Sequence, residues 1–548
     1  MASKNRWAVL CIVLACVVFV VQDGAQSQSA PSGAATGLRQ TAYLKASNPE
    51  AREHFGCGGS LPGHIGNSIA ISGDGNYLAV GAHLESSGAK GINGNQNDNS
   101  AYGAGAVYVF LRSGNTWVQQ AYVKASNAGM GDNFGLNVSL NTDGTMMAVA
   151  AYFESSAATG VNPPQDDDSI PQAGAVYIFT RTGTTWTQQA YLKASNTGRP
   201  ADPRDPNDWG DGDQFGSAIS LSGDGNTLAV AAISEDSRGA GINNTPLEAD
   251  DSANSSGAVY VFARTGSAWK QEAYIKASNS EGGDLFGYGV GLSDDGNTMI
   301  VAGYDEDGSG RTVNAIPDNR ENGSGASYLY ERAGGVWRQT AYLKGSRTQR
   351  VDATGIAVAI SGDGNTVASA SAEESCLIPG IDPPACDIDT WPPQVGSSSS
   401  GAVYVCVRNG NTWREQAFIK ASNPDVNDIF GYRIALSRDG SRLLVTAPAE
   451  DSKAQGINSP DQMDNSATEA GAAYLFVRNG NTWTQRAYLK GSNTEAFDEF
   501  GGGVAISGDG KTLVVGSRWE ASTAKGANGN QRDNSAQGAG AAYVFTDN

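Results

Sequence analysis

The chain has 548 residues, with 57 acidic and 37 basic side chains, a formal charge of −20 and 71 glycines, about twice ordinary glycine usage. Charged residues make up only 17%, which excludes a disordered polyelectrolyte, and glycine without a collagen period points to the many tight turns of an all-β chain. So acidic a body repels phosphate backbones, which argues against nucleic acid as a partner, and three histidines leave little material for histidine catalysis or a zinc centre.

Residues 1–27 read as a secretory signal. Lys4 and Arg6 precede an apolar run from Trp7 to Val21, and small residues follow at Gly24-Ala25-Gln26-Ser27. The run is short for a bilayer span, so the mature chain is expected to carry no transmembrane segment and to be extracellular, on the cell surface or periplasmic. Val13-Leu14-Ala15-Cys16 has the look of a lipidation box, but the apolar run continues past Cys16 and a lipoprotein is not expected. Residues 28–37 form a linker. A lone strand, Leu38 to Ala46, comes next.

From there one unit recurs seven times. The pattern Ala-Tyr-(Leu/Val/Ile)-Lys-(Ala/Gly)-Ser places its lysine at Lys45, Lys124, Lys193, Lys276, Lys344, Lys420 and Lys490, with Phe418 replacing the tyrosine once. An Asp-Gly turn recurs at Asp74, Asp143, Asp224, Asp295, Asp363, Asp439 and Asp509. Units start near residues 47, 121, 190, 273, 341, 417 and 487. Each holds four strand-like segments, in the third unit Phe215 to Leu221, Thr227 to Ala232, Gly257 to Arg264 and Trp269 to Ala277, joined by hairpin signals. Seven such units describe a single seven-bladed β-propeller over residues 38–548. The seventh unit stops after its third strand, so the lone strand at 38–46 is expected to complete it and close the ring.

A Phe-Gly pair stands at Phe134-Gly135, Phe215-Gly216, Phe286-Gly287, Phe430-Gly431 and Phe500-Gly501, with Ile65-Gly66 and Thr354-Gly355 assigned to the first and fifth units by register. Together with Val80-Gly81-Ala82 and Gly105 to Phe110, these units resemble the FG-GAP repeats of the integrin α-subunit propeller and its bacterial relatives. The family often carries a calcium loop between the first two strands. Here that place holds a short Ser-Gly-Asp-Gly-Asn turn with one carboxylate in most copies, so the family's metal site is not carried over.

The 1–2 and 3–4 connections are short and the 2–3 and 4–1 connections long, so one face is plain and the other rich in loops, where binding is expected. A glutamate closes the second strand of every unit, at Glu85, Glu154, Glu235, Glu306, Glu374, Glu450 and Glu520. An aspartate stands two residues before the Phe-Gly position at Asp132, Asp213, Asp284, Asp352, Asp428 and Asp498. With the lysines, these rings are read as inter-blade salt bridges and caps, against a sharper reading as equivalent ligand pockets. Gly-Ile-Asn and Asp-Asn-Ser in the long loops, as at Gly91-Ile92-Asn93 and Asp98-Asn99-Ser100, suit Asx-turns or calcium. In the third unit's insertion, Asp205, Asn207, Asp208, Asp211 and Asp213 are candidate calcium ligands, weighed against a solvated acidic loop. Cys376 and Cys386 bracket a proline-rich segment and are expected to form a disulfide, while Cys57 and Cys406 are not expected to pair.

No nucleophile elbow, phosphate loop or His-Glu-x-x-His motif occurs. The expected function is an exported or cell-surface recognition or adhesion protein, a monomeric ring that binds a glycan or extracellular protein through the loop face, with calcium as a candidate aid. The alternative is a polysaccharide-acting enzyme, glycosidase or lyase, near His54, Cys57, His64 and His83 of the first blade.

Overall fold

Each unit contains strands such as Thr227–Ala232 and Ala258–Thr265 whose small and β-branched residues are buried almost end to end. That burial requires a sheet packed on either side, which stacking the units in a ring supplies. The computed structural model describes residues 37–59, 66–199, 212–243, 250–386 and 399–547. Within them, 28 strands form seven four-stranded antiparallel sheets set around an axis, and the only helical element is a 3-10 turn at Pro384–Cys386. The third blade, for example, comprises Phe215–Leu221, Thr227–Ala232, Ala258–Thr265 and Ala268–Ile275 in that order. The last blade joins Phe500–Ile506, Thr512–Ser517 and Ala541–Asp547 to the N-terminal strand Leu38–Leu44, in register from Leu38 opposite Asp547 to Leu44 opposite Ala542. The ring therefore closes as expected. The signal and linker assignments at 1–36 lie outside the described residues.

The core is a set of sheet-on-sheet interfaces. Val107 and Val109 of the first blade meet Met147, Val149 and Tyr177 of the second. Phe134 seals this seam, edge-on to Tyr177 at 5.4 Å and to Phe179 at 6.1 Å. Burying such a ring is worth about 1.5–3 kcal/mol, with about 0.5–1.5 kcal/mol more from the aromatic pairs. The chain reaches this packing only through glycine. Gly105 has φ +78°, and a Cβ there would lie 2.1 Å from the Phe134 carbonyl oxygen.

One register assignment is corrected. In the first blade the Phe-Gly place is taken by Phe55-Gly56, not Ile65-Gly66. Phe55 stands edge-on to Tyr108 at 5.5 Å and to Phe110 at 6.2 Å, and its N–H donates to Ala539 as that of Phe134 does to Ala104. The first unit thus keeps the usual ten residues after its lysine, and its extra segment follows the Phe-Gly pair.

The first strands face the axis and enclose a cavity of about 330 Å3. On the plain face the 1–2 turns are tied by one backbone bond per blade into a closed belt. Gly73 donates to Thr142, Thr142 to Gly223, Asp224 to Asp294, Asp294 to Gly362, Gly362 to Arg438, Arg438 to Gly508, and Gly508 back to Gly73, at 2.8–3.1 Å. Inside each turn the aspartate is engaged: Asp74 accepts from the Ser72 hydroxyl at 2.5 Å, the Asn76 N–H at 3.0 Å and Asn76 Nδ2 at 2.8 Å. Its oxygens are committed to the hairpin.

Candidate functional site

The glutamate ring comes first because it is the most repeated chemistry on the loop side. A carboxylate at the end of the second strand and a lysine at the end of the fourth lie in the same sheet, so the pairs form within blades. This corrects the inter-blade expectation. Lys45–Glu520, Lys124–Glu85, Lys193–Glu154, Lys276–Glu235, Lys344–Glu306 and Lys490–Glu450 lie at 2.5–3.1 Å, and Lys420 pairs with Glu374. The lysine side chains are fully buried and the glutamates at most 5% exposed. Burial pushes each lysine below its usual value and the partnered carboxylate opposes that shift.

The seam is crossed by a neutral residue instead. Asn127 of the preceding unit donates to Glu154 Oε1 at 2.9 Å, and Tyr191 of Glu154's own blade donates to the same oxygen at 2.9 Å. Tyr177 in turn donates to Asn127 Oδ1 at 2.5 Å. Asn196, Asn279, Asn423 and Asn493 repeat the seam contact on Glu235, Glu306, Glu450 and Glu520. A carboxylate with this many internal partners and almost no exposure is an architectural element. The fourth-to-fifth seam departs, since Arg347 stands where asparagine does elsewhere and lies 4.4 Å over the Phe418 ring, the one position where phenylalanine replaced tyrosine.

The acid two residues before Phe-Gly is also internal. Asp132 Oδ2 accepts the Gly129 N–H at 2.7 Å, and Asp284, Asp428 and Asp498 do the same with Glu281, Asp425 and Glu495 at 2.8 Å. Glu53 fills this place in the first blade, accepting from the Glu50 N–H at 2.9 Å. Burial raises these carboxyls, to about 6 at Asp132, about 7 at Asp284 and Asp498, and about 8 at Asp428 and Glu53. Asp213 occupies the same place in the third blade and is buried. Its proposed calcium companions Asp205, Asn207, Asp208 and Asp211 lie outside the described residues, as does His64.

The long loops are pinned rather than free. Asn93 sits in the left-handed region, donates its N–H to the Tyr122 carbonyl at 2.7 Å and accepts the Tyr122 N–H on Oδ1 at 2.9 Å. Asn162, Asn243, Asn314, Asp382, Asn458 and Asn528 make the same side-chain bond in the other blades. The Asp-Asn-Ser triplets bind protein too: Asp98 accepts from the Ser100 N–H at 3.1 Å and Asn99 donates to both Glu50 oxygens at 2.8–2.9 Å, on the incoming 4–1 loop. Among the described residues, no three His, Cys, Asp or Glu side chains form a group that holds a metal ion.

One constellation is not repeated. At the loop-face end of the axis, His54, Cys57 and His83 of the first blade meet Glu499, Arg518 and Trp519 of the seventh and Tyr432 and Arg433 of the sixth. His54 packs 4.9 Å from Trp519 and 5.5 Å from His83. Burial, with His83 and Arg518, holds His54 down to about 2, so it is a neutral ring near pH 7. His83 Nδ1 lies 3.1 Å from the Cys57 carbonyl, and Cys57 is a buried free thiol, as is Cys406. Cys376 and Cys386 form the expected disulfide. Sequence reasoning found the three histidines but missed Arg433 and Arg518. The signal at Arg433 was that Asn137, Ala218, Gly289, Ala357 and Gly503 hold the equivalent place in other units, and at Arg518 that no other unit places a lysine or arginine two residues before its ring glutamate.

Two segments of the chain, residues 117–179 and 483–545, match the FG-GAP repeat, each running from the Trp-bearing fourth strand of one blade to the third strand of the next. The chain therefore carries FG-GAP repeats within a seven-bladed β-propeller. No curated protein matches it. Among solved structures, the periplasmic gluconolactonase of Pseudomonas aeruginosa is 11% identical, covering 84% of this chain and 98% of its own, with a TM-score of 0.42. The hydrazine synthase of Kuenenia stuttgartiensis is 11% identical, covering 84% of this chain and 94% of its own, with a TM-score of 0.41. Likenesses this distant carry no argument about what the chain does.

Proposed function

We propose that this seven-bladed propeller with FG-GAP repeats is an exported recognition or adhesion protein that engages a glycan or protein partner through its loop face. The observation that carries the reading is that, among the described residues and apart from Val118 and Val336 on outer strands, the exposed large apolar side chains lie on the loop face. Tyr102, Ile316 and Met463 on 2–3 loops, and Met130, Val426 and Phe497 on 4–1 loops, are 43–87% exposed, and all belong to one face. Those loops are also knitted together, since the Gly131 N–H donates to the Tyr102 carbonyl at 2.9 Å and that of Phe497 to Thr468 at 2.7 Å. Exposed anchors on pinned loops lose little conformational entropy on binding, which favours affinity. The seven carboxylate pairs do not support equivalent pockets, because they are buried and internally bonded.

The test is a binding screen on glycan and extracellular-protein arrays with wild type, a Tyr102→Ala/Met130→Ser variant and a Val118→Ser control on the outer strand. Binding lost in the loop variant and kept in the control supports the reading, and binding unchanged in both refutes it. The competing reading is a polysaccharide-acting enzyme at the His54–His83 corner. It would be favoured if His83→Ala ended a measured turnover while binding remained.

A further inference from the structure

Where the blades repeat, every buried lysine has its carboxylate. At the loop-face end of the axis, between the sixth, seventh and first blades, the cations outnumber their partners. Arg433 is 6% exposed and lines the axial cavity. Its Nε donates to the Gly66 carbonyl and its Nη1 to the Tyr432 carbonyl, both at 2.9 Å, but the buried Nη2 makes no hydrogen bond among the described residues. Arg518 is 7% exposed and lines a second cavity of about 130 Å3 with His54, His83 and Tyr152. Its Nη1 is 3.5 Å from Glu499 Oε2, a long contact, and its buried Nε has no partner among the described residues.

Glu499 is itself shared, because its Oε1 accepts the Trp519 Nε1–H at 2.9 Å. Both nitrogens of the buried His54 and the hydroxyl of buried Tyr432 are likewise unpartnered. Both guanidinium groups act electrostatically on the one Cys57 thiol, which sets them in the same neighbourhood. Arg518 has Glu499 only at that long distance and Arg433 has no carboxylate within ion-pair reach among the described residues, in a chain whose formal charge is −20. Leaving a buried charged donor unpaired is costly, so an arrangement of this kind is stabilised by an anion that accepts from the open N–H groups.

We infer that this corner binds the carboxylate of a small acidic sugar, with Arg518 and Arg433 as its donors. The planar guanidinium fork matches a carboxylate. Tyr152 lines the second cavity, Tyr288 lines the axial one and stacks on Tyr304 at 4.3 Å, and Trp519 packs on His54, rings that suit the apolar faces of a sugar. The inference rests on the recognition reading and gives its ligand a chemical class.

The experiment is calorimetric titration and thermal unfolding of the full chain with glucuronate, glucose and inorganic phosphate, using wild type, Arg518→Gln and Arg433→Gln. Glucuronate is expected to bind and raise the midpoint while glucose does neither, and each Gln variant is expected to weaken glucuronate on the order of tenfold or more. Should a Gln variant fail to fold, Arg518→Lys keeps the charge, loses the fork and is expected to weaken binding as well. Equal response to glucose and glucuronate, response to phosphate alone, or unchanged binding in both Gln variants overturns the inference. A neutral glycan or protein ligand kept by Arg518→Gln overturns it while leaving recognition standing, and no ligand on any array overturns both.

Discussion

Removing one carboxylate from the buried ring separates architecture from ligand binding. Glu154 accepts from Lys193 Nζ at 2.8 Å on Oε2, and from Tyr191 Oη and Asn127 Nδ2 at 2.9 Å on Oε1. Glu154→Ala strands an ammonium group whose side chain has no exposure, together with a tyrosine hydroxyl and an amide. Breaking a buried pair in this way costs on the order of 3–5 kcal/mol. The exposed pair Lys453–Asp464, at 2.9 Å with side chains 56% and 27% exposed, provides the contrast. Asp464→Ala is expected to cost far less, because solvent screens this pair. Replacing both buried partners, as Glu154→Leu with Lys193→Met, should recover the part of the loss due to the stranded charge and leave only that of the unpaired Tyr191 hydroxyl and Asn127 amide, about 1–3 kcal/mol each. Equilibrium urea unfolding with matched slopes reads all three. A Glu154→Ala cost no larger than that of Asp464→Ala would refute the architectural assignment.

Other expectations follow from the same geometry. Deleting residues 1–46 removes the strand paired with Ala541–Asp547 and opens a sheet edge, so the chain should associate in gel filtration, with a peptide of residues 38–46 restoring the monomer; a monomeric deletion variant contradicts closure. Asp284 and Asp498, raised by burial to about 7, keep their protons in the folded chain after the unfolded chain has lost them, so their contribution is full below pH 4 and is lost as pH rises to about 7. Wild-type urea midpoints should therefore fall between pH 5 and 8 more steeply than those of Asp284→Asn/Asp498→Asn, and equal slopes contradict the assignment. Opening the Cys376–Cys386 bridge by Cys→Ser at both positions should cost roughly 2–3 kcal/mol for a loop this short, measured by the same unfolding. Thermal unfolding in EDTA and then in excess calcium separates the two readings of Asp205, Asn207, Asp208 and Asp211: a raised midpoint that Asp208→Asn abolishes makes them a calcium site, and an indifferent midpoint makes them a solvated acidic loop.

The ring was legible because repetition multiplies weak signals. A single Tyr-Leu-Lys means little, but seven lysines at 68–83-residue spacing, with a lone strand at one end and a missing one at the other, leave few alternatives. The loop asparagines were legible as Asx-formers, though not that all seven positions bond the fourth strand. The Phe55-Gly56 pair was present in sequence at the usual ten-residue spacing and preceded by Glu53, an acid in the aspartate's place. It was hidden by the search for aspartate and by the extra segment that follows. The partner of each glutamate was not readable, because strand order within a blade brings Glu154 to Lys193 across 39 residues while sequence similarity only marks both as recurrent. The axial corner was least readable of all, since it joins residues from both ends of the chain and is made by no single unit.

The central claim is that the repeated charges hold the ring and do not form seven equivalent ligand pockets. Calorimetric stoichiometry of the first ligand found on the arrays tests this most directly. The account predicts one ligand per chain, with Glu85→Gln leaving that number unchanged. A stoichiometry approaching seven, falling by about one with each glutamate replaced, would contradict it.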